Sequence, residues 1–238
     1  MHRIYDALAA LCATLGSVPM KSIDLSRLRD FSTPILSDSL DGIGLMGQAM
    51  RPFVRPLDEQ AVLIGRARTG LYMPVYQVYV GENPYEVEMA LVDDLAPGDV
   101  PVLACNGPTD RIAPWGELLT TASKLRGAAG CITDGLVRDI RQIRALNFPM
   151  FHGGIGPLDT KGRARMVERD TPVECAGVRV RSGDIVFGDA DGVVIIPLER
   201  AEEVIVKALE KVRGENHTRE ELAQGMLLGE VYKKYGVL

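Results

Sequence analysis

The stretch GELLTTASKLRGAAGCITDGLVRD, residues 116–139, decides the fold. Leu118, Leu119, Ala122 and Leu125 share one stripe at helical spacing, so residues 116–125 predict an amphipathic helix. Gly127 ends it, and Ala128 to Thr133 is a short apolar run of the kind that forms a buried strand. Asp134-Gly135 predicts a turn, after which Arg138-Asp139 open the next helix. Upstream, Asp99 to Cys105 reads as another strand. Strands that alternate with helices build a parallel sheet, and its strand-to-helix junctions share the carboxyl edge, where ligands bind. Glu117 and Arg138-Asp139, with twenty residues between the glutamate and the arginine, therefore stand on that edge beside two helix N-termini.

Working outward, Ile4, Leu8, Leu11 and Leu15 give a helical stripe near the start of the chain. Thr33-Pro34 predicts a helix start, with a hydroxyl cap and Pro at the first position, running through SDSLDG to Gly42 and Gly44. Residues 51–80 mix apolar residues with Gly and Pro and read as strands. Asn83-Pro84-Tyr85-Glu86 resembles a capping box that opens a helix through Leu91. The turn PGDVPVL is echoed by SGDIVFG at 182–188, and Asp191-Gly192 predicts a hairpin turn inside 173–197, which read as β. Between these, residues 153–172 read as a long loop or an edge excursion. From Glu199 to Lys211 the spacing is helical, with Val204, Ile205, Ala208 and Val212 on one side. Gly214 is expected to interrupt it, with a second helix over about 215–224, a stop at Gly225 and a last short helix holding Tyr232 and Tyr235. No linker divides the chain, so residues 1–238 are expected to form one α/β domain around a central β-α-β-α-β layer.

The 238 residues are 46% hydrophobic, enough for a sizeable core, and the net charge of −5 argues against a nucleic-acid groove, which needs a basic face. No run of 18 apolar residues and no secretory pattern stands out, so no membrane span is expected and the expected location is cytoplasmic. Cys12, Cys105, Cys131 and Cys175 form no CxxC pair and read as buried small hydrophobes. His2, His152 and His217 are too scattered to suggest a triad or a His-rich metal site, although His152 follows a strand and reads either as a cavity residue or as a polar strand end. Gly153-Gly154-Ile155-Gly156 lacks the Lys-Ser/Thr of a phosphate loop and reads as a turn.

The chemistry follows from the residue types. A guanidinium such as Arg138 grips a carboxylate or oxyanion through two hydrogen bonds, which suits a 2-oxo acid. One carboxylate plus waters is a normal Mg²⁺ site, so Asp139 is the candidate metal ligand, and such an ion stabilises an enolate as a Lewis acid. The N–H groups of Leu118 and Leu119 near a helix N-terminus are candidates for the substrate carboxylate, and Glu117 for a metal-bound water or a proton. The set points to carbon–carbon cleavage that leaves the enolate of pyruvate. The same residues also admit a bland reading: the helix dipole alone favours Glu at an N-terminus, and Arg-Asp is common in a first turn.

PGDVPVLAC, WGELLTTASKLRGAAGCITDGLVRD, SGDIVFGDADGVVIIP and the C-terminal REELAQG together resemble the RraA-like family over roughly residues 30–228. That family includes 4-hydroxy-4-methyl-2-oxoglutarate/4-carboxy-4-hydroxy-2-oxoadipate aldolases and a regulator of ribonuclease activity. The resemblance implies an α-β-β-α sandwich with a central β-barrel, like a phosphohistidine swivelling domain, assembled as a homotrimer or hexamer. It implies that Asp139 binds Mg²⁺ or Mn²⁺ directly, that Arg138 binds the pyruvyl oxygen, and that Gly116, Leu118 and Leu119 line the substrate site. Glu117 stands where the aldolases carry Asp and would reach a metal-bound water, as would Glu215 from a neighbouring subunit. The implied activities are aldol cleavage of a 4-hydroxy-2-oxo acid and decarboxylation of oxaloacetate. The alternative is a non-catalytic regulator that binds a ribonuclease or helicase.

Overall fold

The computed structural model describes residues 23–236. After a 3₁₀ turn at Leu25–Leu28 come α1 (Thr33–Asp41), β1 (Arg55–Pro56), β2 (Leu63–Pro74), α2 (Glu86–Asp93) and β3 (Asp99–Ala104). Then follow α3 (Glu117–Leu125), β4 (Cys131–Val137), α4 (Ile140–Ala145) and β5 (Met150–Ile155). The chain continues with β6 (Ala164–Arg169), β7 (Val173–Cys175), β8 (Val178–Val180), β9 (Ile185–Asp189) and β10 (Gly192–Ile196), and ends in α5 (Ala201–Ala223) and α6 (Leu228–Tyr235).

The main sheet runs β1-β5-β4-β3-β2-β9-β10, with β6 paired to β2. β2, β3, β4 and β5 are mutually parallel, as helices between strands require. β9 and β10 pair through the expected hairpin at Asp191-Gly192. β1 and the segment before it nearly close the sheet into a barrel: the Met50 N–H donates to Val193 O at 2.9 Å, and the Arg55 guanidinium of β1 donates to Asp191 O at 2.9 Å. Val100, Val102, Ile132, Phe151, Val186 and Ile195 fill the interior, where β7 and β8 add Val173, Cys175 and Val178. Outside, α2, α3 and α4 cover one wall with Leu91, Val92 and Ile143 around Trp115, while α1 and α5 cover β9 and β10 with Leu36, Leu40, Val204 and Ile205. Helices thus lie outside both walls of the nearly closed barrel, and the two walls are the β layers of the α-β-β-α arrangement.

Several local expectations change. β4 does not stop at Thr133 but runs through Asp134-Gly135, with a shift in its pairing to β5 between Thr133 and Leu136. The shift turns the buried Asp134 carboxylate onto three N–H groups, those of Cys105 (2.6 Å), Gly107 (3.0 Å) and Ala176 (3.3 Å). Asp134 therefore anchors the loop after β3 and the turn between β7 and β8. Residues 153–172 are not one loop, because β6 lies antiparallel on the outer half of β2. Gly214 does not break α5, since one glycine costs only about 1 kcal/mol and keeps its N–H. The Lys211–Glu215 ion pair spans it at helical spacing, and Glu215 pairs again with Arg219 one turn further on. Asn83 forms no capping box; its side chain accepts from the Tyr85 N–H instead. Ser32 is the N-cap of α1, and Thr33 turns its hydroxyl to Asp189 at 2.5 Å. Cys105, Cys131 and Cys175 are free thiols in or beside the core. The helix expected near residues 4–15 and Cys12 lie outside the described residues.

Candidate active site

The junctions β3–α3 and β4–α4 meet on one edge. Trp115 bridges to Val137 in parallel register, and the Arg138 N–H donates to Trp115 O at 3.0 Å. Trp115 is buried, and its indole N–H donates to Thr120 Oγ1 at 2.8 Å, which locks the first turn of α3. The N-terminus of α3 carries no side-chain cap from its own N-cap residue, Gly116. Its first N–H, that of Glu117, donates instead to Asp139 Oδ2 at 3.1 Å. The next N–H groups, of Leu118 and Leu119, belong to the helical turn that has no intrahelical acceptors.

Asp139 is the N-cap of α4 but sits in the left-handed region, φ 59° and ψ 35°, and makes no cap bond to α4. That conformation sends its carboxylate across to α3. Gly116 makes the approach possible, because a Cβ there would lie 2.6 Å from Asp139 Oδ2 and 3.1 Å from Arg138 Nε. Arg138 lies between two acids, with Nε 3.8 Å from Asp139 Oδ2 and a terminal nitrogen 3.4 Å from Asp159 Oδ1.

These groups line a cleft of about 360 Å³ together with Leu118, Leu119, Tyr85 and Glu88. Asp159 accepts from the Tyr85 hydroxyl at 2.5 Å. Burial raises its pKa, but the Tyr85 hydroxyl and Arg138 outweigh this and hold it below the usual carboxylate value. Burial and the bond to Asp159 push Tyr85 up to about 12. Glu88 is 7% exposed, and burial pushes its pKa up to about 7 even though the Tyr72 hydroxyl, 2.6 Å away, favours the charged form.

Of the residues expected from sequence, Gly116, Leu118, Leu119, Arg138 and Asp139 come together at this cleft. Glu117 adjoins it through its N–H, while its side chain turns along α3 and accepts from the Thr121 hydroxyl at 2.8 Å. Glu215 lies on α5 outside the cleft, paired with Lys211 and Arg219. His152 is buried away from the cleft, on the side of Arg144 and Pro56. Sequence reading missed Tyr72, Tyr85, Glu88 and Asp159. The one available signal was Glu88 itself, an acid on the same face of α2 as the buried Leu91 and Val92.

As for a metal, no cluster of three or more His, Cys, Asp or Glu side chains is placed to hold one among the described residues. A single carboxylate suffices for Mg²⁺, which keeps most of its waters. Asp139, pinned by its backbone and kept close by the bare Gly116, fits that one-carboxylate role.

The family model described as Aldolase/RraA matches residues 33–195. The chain belongs to the RraA-like family. A protein of Halalkalibacterium halodurans named "Putative 4-hydroxy-4-methyl-2-oxoglutarate aldolase" is 35% identical over 187 residues, 79% of this chain and 82% of that protein. Among solved structures, Streptomyces coelicolor RraAS2, described as an unusual member of the RNase ES inhibitor RraA protein family, superposes with a TM-score of 0.74 at 26% identity, covering 82% of this chain and 94% of that one. An uncharacterized protein from Pseudomonas syringae pv. tomato gives 0.75 at 26% identity, over 87% and 95%. The RraA-like chain thus carries the barrel fold with helices on both sides. Among its described residues, no helix is long and apolar enough to cross a membrane.

Proposed function

We propose that this RraA-like protein is a divalent-metal-dependent lyase that cleaves a 4-hydroxy-2-oxo acid to pyruvate and also decarboxylates oxaloacetate. The observation that carries the reading is the meeting of Arg138, Asp139 and the open N-terminus of α3 at one cleft. The Leu118 and Leu119 N–H groups, at the positive end of the helix dipole, bind the substrate carboxylate. Arg138 forks onto the 2-oxo oxygen and holds the negative charge that gathers there as the C3–C4 bond breaks. Asp139 would hold Mg²⁺ or Mn²⁺, with Glu117 and a neighbouring subunit's Glu215 acting on its waters in a homotrimer or hexamer. When bound, the ion supplies Lewis-acid polarisation of the 2-oxo acid. The aldolase name carried by the Halalkalibacterium relative, 35% identical over 187 residues, supports the reaction class. A regulator that only binds a nuclease would need neither a cleft of this size nor an arginine between two acids at its mouth.

The test is pyruvate release from a panel of 4-hydroxy-2-oxo acids and from oxaloacetate. EDTA should abolish it and Mg²⁺ or Mn²⁺ restore it, and borohydride should trap no adduct. Arg138→Ala should lose about 10²–10³ in rate, the usual cost of one electrostatic stabiliser, and Arg138→Lys should rescue poorly because an ammonium does not fork. Full activity in chelator would defeat the metal mechanism, and parental activity in Arg138→Ala would move the site elsewhere.

A further inference from the structure

Glu88 is a buried acid that the scheme above leaves unused. It projects from α2 into the cleft that holds Arg138 and Asp139, yet it is 7% exposed. The cation nearest in chemistry, Arg138, pairs with Asp159 and Asp139 instead. Its fixed partner is the hydroxyl of Tyr72, itself 2% exposed, which donates to Oε2 at 2.6 Å. A carboxyl buried with no paired cation is costly, and burial in a cleft is how proteins tune a carboxyl for proton transfer. The groups that face it are Tyr72 from β2, Cys105 from the end of β3, Tyr85 from the start of α2, Arg138 from the end of β4 and Asp159 from the loop after β5. Cys105 is half-buried, with its thiol pKa pushed up by desolvation, and Tyr85 stays protonated, so neither competes for a proton near neutrality. Asp159 stays ionised between Tyr85 and Arg138.

Resting on the aldolase reading, we propose that Glu88 is the proton shuttle of this site, oriented by Tyr72. In the cleavage direction its carboxylate takes the proton of the C4 hydroxyl while the C3–C4 bond breaks. The O–H electron pair becomes the new C4 carbonyl, and the C3–C4 pair becomes the C2–C3 double bond of the enolate. The carboxylic acid then returns the same proton to C3, giving the methyl group of pyruvate and restoring the carboxylate. Protons and electrons balance with no further reactant.

The shuttle makes pyruvate itself a substrate for a partial reaction, exchange of its methyl protons with D₂O, followed by NMR on the Mg²⁺-loaded protein. Glu88→Gln keeps the shape and the acceptor for Tyr72, and it should lower both cleavage and exchange by about 10²–10⁴, the usual contribution of a general acid–base group. Pyruvate binding by calorimetry should stay at the parental value, because Glu88 does not hold the carboxylate or the 2-oxo oxygen. Parental cleavage should fall as pH drops through about 7, since the carboxylate form accepts the proton. Tyr72→Phe removes a donor to that form, so the same limb should move to higher pH. If the parent cleaves and exchanges but Glu88→Gln retains both rates, the shuttle is wrong and the aldolase reading stands. If the parent releases no pyruvate from any substrate and exchanges none, the aldolase reading itself fails. Should Glu88→Gln not fold, Glu88→Asp and the Tyr72→Phe limb decide: an unmoved limb overturns the shuttle.

Discussion

Gly116→Ala is the sharpest test of the cleft, because it separates the site from the fold. The backbone at Gly116 is extended, φ −150° and ψ −170°, a conformation that any residue adopts. Alanine therefore brings no backbone strain, and by restricting the unfolded chain it contributes about 0.4–1 kcal/mol of stability. Loss of a favoured N-cap glycine opposes this by an amount on the order of 1 kcal/mol, so the net stability change is near zero. The new methyl, however, meets Asp139 Oδ2 at 2.6 Å and Arg138 Nε at 3.1 Å, where ordinary contact begins at 3.4 Å. The nearer group must retreat by roughly 0.8 Å, the difference between those two distances. Displacing a catalytic group by about 1 Å typically costs on the order of 10²-fold in rate. The expected outcome is a thermal midpoint within a few degrees of the parent, with pyruvate release and affinity for Mn²⁺ both sharply reduced. A variant that melts like the parent and also turns over like it would refute the claim that the Gly116–Arg138–Asp139 cluster is the site.

Two further outcomes are expected. Asp139→Ala and Glu215→Ala, each first shown inactive and correctly assembled, should regain part of their activity when co-expressed, if Glu215 serves a neighbour's site. Mixed assemblies that stay dead would exclude that role. His152 should govern acid stability: burial lowers its pKa from 6.5 to about 4, so the unfolded chain binds a proton that the folded chain refuses. Stability is then lost as pH falls from about 6.5 through about 4, by up to about 3 kcal/mol at 1.36 kcal/mol per pH unit. In urea titrations His152→Gln should flatten that slope, and an unchanged slope would remove His152 as its source.

What was legible in the sequence is what periodicity encodes. The helix stripe from Leu118 to Leu125 and the apolar runs on either side fixed the order β3-α3-β4-α4-β5, and that order alone puts Glu117 and Arg138-Asp139 on one edge. What was not legible depends on partners distant in sequence. Tyr85 and Asp159 are 74 residues apart and meet only because the barrel folds β5 and its following loop toward α2. Glu88 reads as one of several acids in EVEMALVDD until Tyr72 is seen behind it. Asp134-Gly135 has turn chemistry, and only the three N–H groups converging on Asp134 explain why the strand continues. Gly214 has helix-breaking chemistry, and its flanking ion pairs with the packing of α5 on β9 and β10 outweigh a local cost of about 1 kcal/mol.

Asp139 joins the two kinds of information. An aspartate at an N-cap ordinarily stays extended and accepts an N–H from the second or third residue of its own helix, which stabilises by about 1 kcal/mol. Here it forgoes that bond and adopts a left-handed backbone that costs an L-residue roughly another 1–2 kcal/mol. Neither departure is required by packing, for its side chain is 41% exposed. What the departures achieve is placement: one carboxylate held at the start of α3, beside Arg138, over a cleft. Local strain at a residue with no packing role is the pattern expected where geometry serves chemistry. Asp139→Gly would relieve the strain and remove the carboxylate together, so it should melt above the parent and lose turnover, and a fall in stability would show that the left-handed backbone at Asp139 is not strained.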